Sequence, residues 1–211
     1  MVIKPGGVVV WVVADQTVKG SETGTSFRQA LYFKEIGFNL HDTMIYEAAG
    51  TGAKGSNLSY WQAFEFMFVF SKGRPKTVNR IADVSNKTIG LLRGGRYREG
   101  GSNEKPHLTK DFGIRTNIWR YGVGFADKSD KTGHPAPFPE ALARDHIISW
   151  SNPGDLVLDP MCGSGTTIKV AVQLERKAIG FDVSRNYCQM AIARVNGCLK
   201  KKQEENSCVN S

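Results

Sequence analysis

Nothing in this sequence of 211 residues is apolar for long enough to cross a membrane as a helix, which takes roughly 20 residues. The apolar stretch near the start, Val8 to Ala14, is far shorter. Lys4 stands alone before it and no small-residue cleavage site follows, so it does not read as a signal peptide. A cytoplasmic protein is expected. Cysteine is sparse: Cys162, Cys188, Cys198 and Cys208 include no pair two residues apart, and the four histidines complete no metal-ligand spacing, which argues against a zinc site. With no export signal, free thiols are expected rather than disulfides. A composition 40% hydrophobic and 23% charged excludes a disordered or fibrous chain. The length suits one α/β domain with an insertion.

Acidic residues are scarce in the middle of the chain. Between Ser71 and Lys131 there are 14 Lys and Arg against six acids, a surplus equal to the net charge of +8 carried by the whole chain. All of the excess positive charge therefore sits in one segment, as a phosphate-tracking surface requires; the alternative is a solvated basic loop without a ligand. Within it Arg93, Arg96 and Arg98 interleave with Tyr97 in a glycine-rich stretch and, with Lys105, are the candidate phosphate or base contacts.

The order of elements reads as alternating strands and helices. Val8 to Ala14 is β-rich, Ser26 to Ile36 has helical spacing at Phe27, Leu31 and Ile36, and Gly37 ends that helix. His41 to Glu47 and Phe64 to Phe70 read as strands, the second buried on both faces. Gly73 to Gly133 is polar, basic and without a sustained period, an irregular insertion. A helix is expected from about Phe138 to Trp150, then a short buried strand Leu156 to Leu158, a glycine loop, a helix from Thr166, a strand Ala178 to Phe181, and a helix from Ser184 to about Leu199 before a polar tail.

The segment Asp159-Pro160-Met161-Cys162-Gly163-Ser164-Gly165-Thr166 puts two glycines between a strand and a helix N-terminus, where a ligand can approach bare backbone and meet free N–H groups. Position 168 is Ile, so the third glycine of a dinucleotide fingerprint is missing, and so is the Lys-Ser/Thr pair of a phosphate loop. Asp182 ends the next strand, where an acid accepts hydrogen bonds from ribose hydroxyls in doubly wound sheets. A glycine loop without phosphate specificity plus a ribose-reading acid suits S-adenosylmethionine. The plainer alternative has Asp159 capping a turn and Asp182 capping the helix at Ser184.

The run "NPGDLVLDPMCGSGTT" followed by "RKAIGFDVSRNYCQMAIARV" resembles the cofactor region of bacterial and phage DNA methyltransferases that modify exocyclic amino groups of adenine or cytosine. Upstream, "GHPAPFPEALARDHIISWS" resembles the family's segment that packs over the cofactor, with His134, Pro135, Phe138 and Pro139 matching. "IKPGGVVVWVV", "FNLHDTMIYEAAG" and "YWQAFEFMFVFSKGRPK" resemble the strands that follow the catalytic motif, and "IRTNIWRYG" the end of the recognition region. The resemblance implies a Rossmann-like α/β sheet with a basic insertion facing double-stranded DNA. It implies that Asp159, Gly163 and Gly165 line the methionine end of S-adenosylmethionine and Asp182 its ribose, with Pro160, Cys162, Ser164, Thr166, His134, Phe138 and Pro139 in the same site. It divides the chain into a catalytic-side half (1–72), a recognition insertion (73–133), a cofactor-binding half (134–199) and a polar tail (200–211).

The family's catalytic tetrapeptide, Asp-, Ser- or Asn-Pro-Pro-aromatic, occurs nowhere in these residues. An exocyclic amine is a poor nucleophile that must be flipped out, stacked and hydrogen-bonded, and that motif does the holding. In the family the motif precedes the strand that here begins at Val8, and its strand sits between that one and the glycine-loop strand. The expectation is an incomplete sheet in a truncated chain, or one half of a split enzyme completed by a second chain; a non-catalytic module that binds cofactor and DNA is the competing reading. Among other residues, Trp119 reads as core packing and Asp15 as a turn cap or an active-site acid at a strand end. His41, His107 and His146 are assigned no function.

Overall fold

Runs of β-branched and aromatic residues, VVVWVV and FEFMFVFS, build the main sheet. The fold, a computed structural model, describes residues 3–49, 59–93, 107–122 and 138–209, without the side chains of residues 93, 205, 206, 208 and 209. Strand β1 (Val8–Val13) leads through a small hairpin of β2 (Thr17–Val18) and β3 (Ser21–Glu22) into helix α1 (Thr25–Glu35), then β4 (Asn39–Ala49) and β5 (Phe64–Ser71). β5 lies antiparallel between β1 and β4. Its Phe68 and Phe70 turn to α1, where they join Ala30 and Phe38 in one buried cluster and the Phe33 ring stacks on Phe70 at 4.4 Å. Asp15 accepts hydrogen bonds from Thr23 Oγ1 and from both the backbone N–H and the hydroxyl of Ser26 in the first turn of α1. It is thus a helix cap; burial works to raise its pKa, but the bonds from Ser26 and Thr23 win and hold it below the usual value. Gly37, at φ 94°, ends α1, donating to Lys34 O at 3.0 Å while Phe38 donates to Phe33 O.

The chain divides into two compact units, Arg80–Thr116 on its own and Met1–Asn79 with Asn117–Ser211. The smaller unit has more regular structure than its glycines suggest: β6 (Ala82–Ser85), β7 (Leu92–Arg93), β8 (His107–Leu108) and β9 (Phe112–Ile114) form the antiparallel pairs β6·β9 and β7·β8. Arg115 Nε reaches both carboxylate oxygens of Asp83, at 2.7 and 2.9 Å. In the larger unit β10 (Ile118–Gly122) adds to the main sheet parallel to β4, so the sheet order is β1-β5-β4-β10.

Helix α2 (Glu140–Trp150) follows, then β11 (Leu156–Asp159), α3 (Thr166–Gln173), β12 (Lys177–Gly180) and α4 (Arg185–Val209). α4 continues through the polar residues well past Leu199. β11 and β12 pair in parallel as a sheet of their own. Their α3-side residues Val157 and Ala178 pack against Val170 and Ala171. The strand expected to be buried is open on its other face, with Leu156 58% and Ile179 44% exposed. No helix among the described residues is long and apolar enough to cross a membrane.

α2 bridges the two sheets. Ala143 and Ile147 pack on α3, while His146 turns to the main sheet, its Nε2 3.1 Å from Met67 Sδ and its ring 4.7 Å from that of Trp119. Trp150 Nε1 donates to His146 Nδ1 at 3.3 Å, and since indole only donates, the imidazole carries its proton on Nε2. Trp119 is core, 7% exposed. Burial pushes His146 down to about 4, the Asp145 carboxylate offsetting this only in part. The unfolded chain binds this proton at the ordinary 6.5 and the folded chain only near 4. The resulting stability is therefore complete above pH 6.5 and lost as pH falls towards 4. Urea unfolding at about pH 7.5 and about pH 4.5 should differ by roughly 2 to 3 kcal/mol from this residue, a component that His146→Gln removes. An undiminished pH dependence in that variant would contradict the assignment.

Candidate functional site

The loop between β11 and α3 is drawn together by groups that sequence spacing alone could not connect. Gly163 and Gly165 adopt left-handed φ of 51° and 83°, and Gly165 N–H closes the turn on Cys162 O at 2.8 Å. Asp159 accepts the Met161 N–H at 3.1 Å through Oδ1. From the end of β12, Asp182 Oδ1 accepts the Ser184 N–H at 2.8 Å and Oδ2 accepts the Gly163 N–H at 2.9 Å. Both turn-capping roles are thus present, and Asp182 also ties the glycine loop to the strand beside it. Phe181 and Cys162 exchange further backbone contact, Cys162 N–H donating to Phe181 O at 2.8 Å.

Close packing explains why two positions are glycine. A Cβ at Gly165 would lie 2.5 Å from Ala191 Cβ on α4, so α4 rests directly on the loop. At Gly180 a Cβ would lie 2.9 Å from Ile168 and 3.0 Å from Cys162 Sγ. Burial, aided by the Asp159 and Asp182 carboxylates and Cys188, pushes the Cys162 thiol up, so it stays protonated and serves as a small packing group rather than a nucleophile. Cys162, Cys188 and Cys198 are free thiols.

Of the residues expected at the site, Asp159, Cys162, Gly163, Ser164, Gly165, Thr166 and Asp182 come together around this loop, with Pro160 exposed at its start. Pro139 caps α2, its carbonyl accepting the Ala143 N–H at 3.1 Å, and Phe138 packs half-buried against the core between α2 and α3. His134 lies outside the described residues, as do Arg96, Arg98 and Lys105. Arg93 is described by its backbone alone, paired with His107. Sequence reasoning missed Glu140, Lys169 and Arg194. Arg194 Nη1 donates to Ser164 O and Oγ, both at 3.0 Å, and to Thr166 Oγ1 at 3.1 Å, while Nη2 meets Glu140 Oε1 at 3.0 Å. The only hint was that Glu140 directly follows Phe138 and Pro139; nothing marks Arg194 among the cations of a polar helix.

The donor set suits an uncharged adenosine end rather than a polyphosphate. The first-turn N–H groups of α3 lie outside the helical ladder, and the Asp182 carboxylate, with one bond on each oxygen, keeps lone pairs for hydroxyls. Gly165→Ala adds a Cβ at left-handed φ against Ala191; a loss of about 2 kcal/mol or more in urea unfolding and weaker S-adenosylmethionine binding are expected. Wild-type stability and affinity in this variant would contradict the packing argument.

The comparisons with known proteins agree with this geometry. The DNA methylase family profile matches residues 1–193. The orphan methyltransferase M.BamHII of Bacillus amyloliquefaciens is 53% identical over 214 residues, 96% of this chain and 80% of that protein. The DNA adenine methyltransferase YhdJ of Escherichia coli is 37% identical over 89 residues, 42% of this chain and 30% of that one. Among solved structures, the M1.HpyAVI–SAM complex matches with a TM-score of 0.61 at 24% identity over 92% of this chain and 76% of that one. The cytosine-N4-specific PvuII DNA methyltransferase matches with a TM-score of 0.64 at 22% identity, covering 91% of this chain and 64% of its own. The fold is accordingly the Rossmann-like one of those enzymes, here with its sheet in two parts, and the chain belongs to the S-adenosylmethionine-dependent DNA amino-methyltransferase family, the DNA methylases.

Proposed function

We propose that the protein contributes to transfer of a methyl group from S-adenosylmethionine to an exocyclic amine, adenine N6 or cytosine N4, in double-stranded DNA, in the cytoplasm. The observation that carries the reading is the Asp182 carboxylate bonded at once to Gly163 of the loop and to Ser184, which holds a hydroxyl acceptor against the glycine loop. Residues 134–199 hold the cofactor, through Asp159, Pro160, Cys162, Gly163, Ser164, Gly165, Thr166 and Asp182, with His134, Phe138 and Pro139 over it. When bound, the cofactor presents a methyl group on a sulfonium whose leaving group is a neutral thioether, so little acid or base help is needed and positioning dominates. Residues 73–133 bear the positive charge that meets the DNA backbone, Arg93, Arg96, Arg98 and Lys105 among them, and residues 1–72 form the side of the domain that receives the flipped base.

The amine acceptor itself has to come from outside these residues, since the Pro-Pro-aromatic motif is not in them. Two features favour its arrival as an added strand between β1 and β11. Among the described residues each of these strands pairs on one side only, and the β11–β12 sheet leaves Leu156 and Ile179 uncovered. A second polypeptide segment carrying the motif is the implied partner. The same absence supports the second reading, a module that binds cofactor and DNA without methylating.

Calorimetry should give saturable S-adenosylmethionine binding weakened at least about tenfold by Asp182→Ala, the loss of hydrogen bonds to a charged group; no binding, or an unaffected variant, would overturn the cofactor assignment. Labelled methyl should enter duplex DNA only when a polypeptide bearing the motif is added. Transfer by the 211 residues alone would refute the need for that segment, and no transfer with it would favour the binding module. Replacing Arg93, Arg96 and Arg98 by Ala should reduce the salt slope of DNA binding by about three if each meets a phosphate. An unchanged slope would remove them from the interface.

A further inference from the structure

Two left-handed glycines flank Ser164, and glycine by itself selects no single backbone conformation. The loop's shape must therefore be imposed from outside. Asp182 imposes it on one side by taking the Gly163 N–H. On the other, Arg194 takes the carbonyl of Ser164, its hydroxyl, and the hydroxyl of Thr166 at the start of α3. Ser164 and Thr166 are each 4% exposed, so these bonds are made away from water. Arg194 lies one helical turn beyond Ala191, whose Cβ occupies the space that a side chain at position 165 would need. One face of α4 thus supports both the backbone and the polar groups of the loop.

The other end of the guanidinium reaches a different part of the same site. Arg194 Nη2 pairs with Glu140 Oε1, which also receives Lys169 Nζ at 2.6 Å. Glu140 opens α2 immediately after Phe138 and Pro139. The Arg194 side chain is 12% exposed, Lys169 24% and Glu140 29%, so the network is shielded enough to resist salt screening. A planar guanidinium can serve loop and carboxylate simultaneously in fixed directions; an ammonium cannot hold that fork.

We propose that Arg194, through Glu140, is a positioning residue for cofactor binding: it fixes the glycine loop and sets it against the segment that begins α2. The proposal rests on the reading of this loop as the S-adenosylmethionine site. It predicts that breaking the link weakens the cofactor without the residue touching it, and that Glu140 and Arg194 act as one unit.

The test is calorimetric titration of S-adenosylmethionine into the whole chain, its Arg194→Gln, Arg194→Lys and Glu140→Gln variants and the Arg194→Gln/Glu140→Gln double variant, with thermal unfolding of each ligand-free protein. Arg194→Gln should raise the Kd about tenfold or more, the loss of charged hydrogen bonds. Glu140→Gln should raise it less, Arg194→Lys should restore part of the affinity, and the double variant should match Arg194→Gln rather than the product of the two effects. Lys202→Gln, which removes the exposed Lys202–Glu175 pair on the same helix, should leave the Kd unchanged. Lower unfolding midpoints with wild-type Kd values in the Arg194→Gln and Glu140→Gln variants would overturn the proposal and leave Arg194 a merely structural tie. Should Arg194→Gln fail to fold, Arg194→Lys and Glu140→Gln decide the matter by the same criterion. A wild-type chain that binds no S-adenosylmethionine would instead overturn the loop assignment itself.

Discussion

The proposed cofactor site depends on one constraint: a loop built on glycines cannot hold its own shape. Glycines at 163 and 165 adopt left-handed φ angles and forgo the side chains that would otherwise pack the turn. The surrounding structure supplies what they omit. Asp182 takes a loop N–H, Arg194 a loop carbonyl, and Ala191 fills the space above Gly165. β12 and α4 are therefore not only the next elements of a βαβ unit. They are the mould in which the loop is cast, with α4 packed directly on Gly165.

α2 carries the same logic to the scale of the domain. It packs on α3 with Ala143 and Ile147 and on the main sheet with His146, and its first residue pairs with Arg194. Among the described residues the two sheets share no strand pairing, and this helix packs on both, its C-terminal end anchored by Asn79, whose side chain donates to Ile148 O and Ser151 O. The aromatic and thioether surroundings of His146 keep it neutral, which removes a buried charge from that joint. This arrangement leaves the β11–β12 face with Leu156 and Ile179 uncovered.

Much of this was legible in the sequence because it follows local rules. The apolar run Phe64–Phe70 and Gly37 as a helix stop are dictated within a few residues, and the loop between Asp159 and Thr166 announces itself by its glycines. The strand pairs β6·β9 and β7·β8 were not legible: their strands are two to four residues long and lack a hydrophobic period. Nor was the extension of α4, whose polar last turns have no breaker. Arg194 and Glu140 stand 54 residues apart, and a guanidinium that serves a loop, a hydroxyl and a carboxylate leaves no mark on spacing or composition. Asp182 was legible as an acid at a strand end, but its bond to Gly163 depends on how β12 lies beside the loop.

The central claim is that the loop and Asp182 together hold an adenosyl cofactor, and amide chemical shifts on titration with S-adenosylmethionine test it most directly. The account predicts that the largest shifts fall on Gly163, Ser164, Gly165 and Asp182, saturating together, with the Val8–Val13 and Phe64–Ser71 strands little changed. Saturable shifts confined to other parts of the chain, with these four residues unmoved, would contradict it.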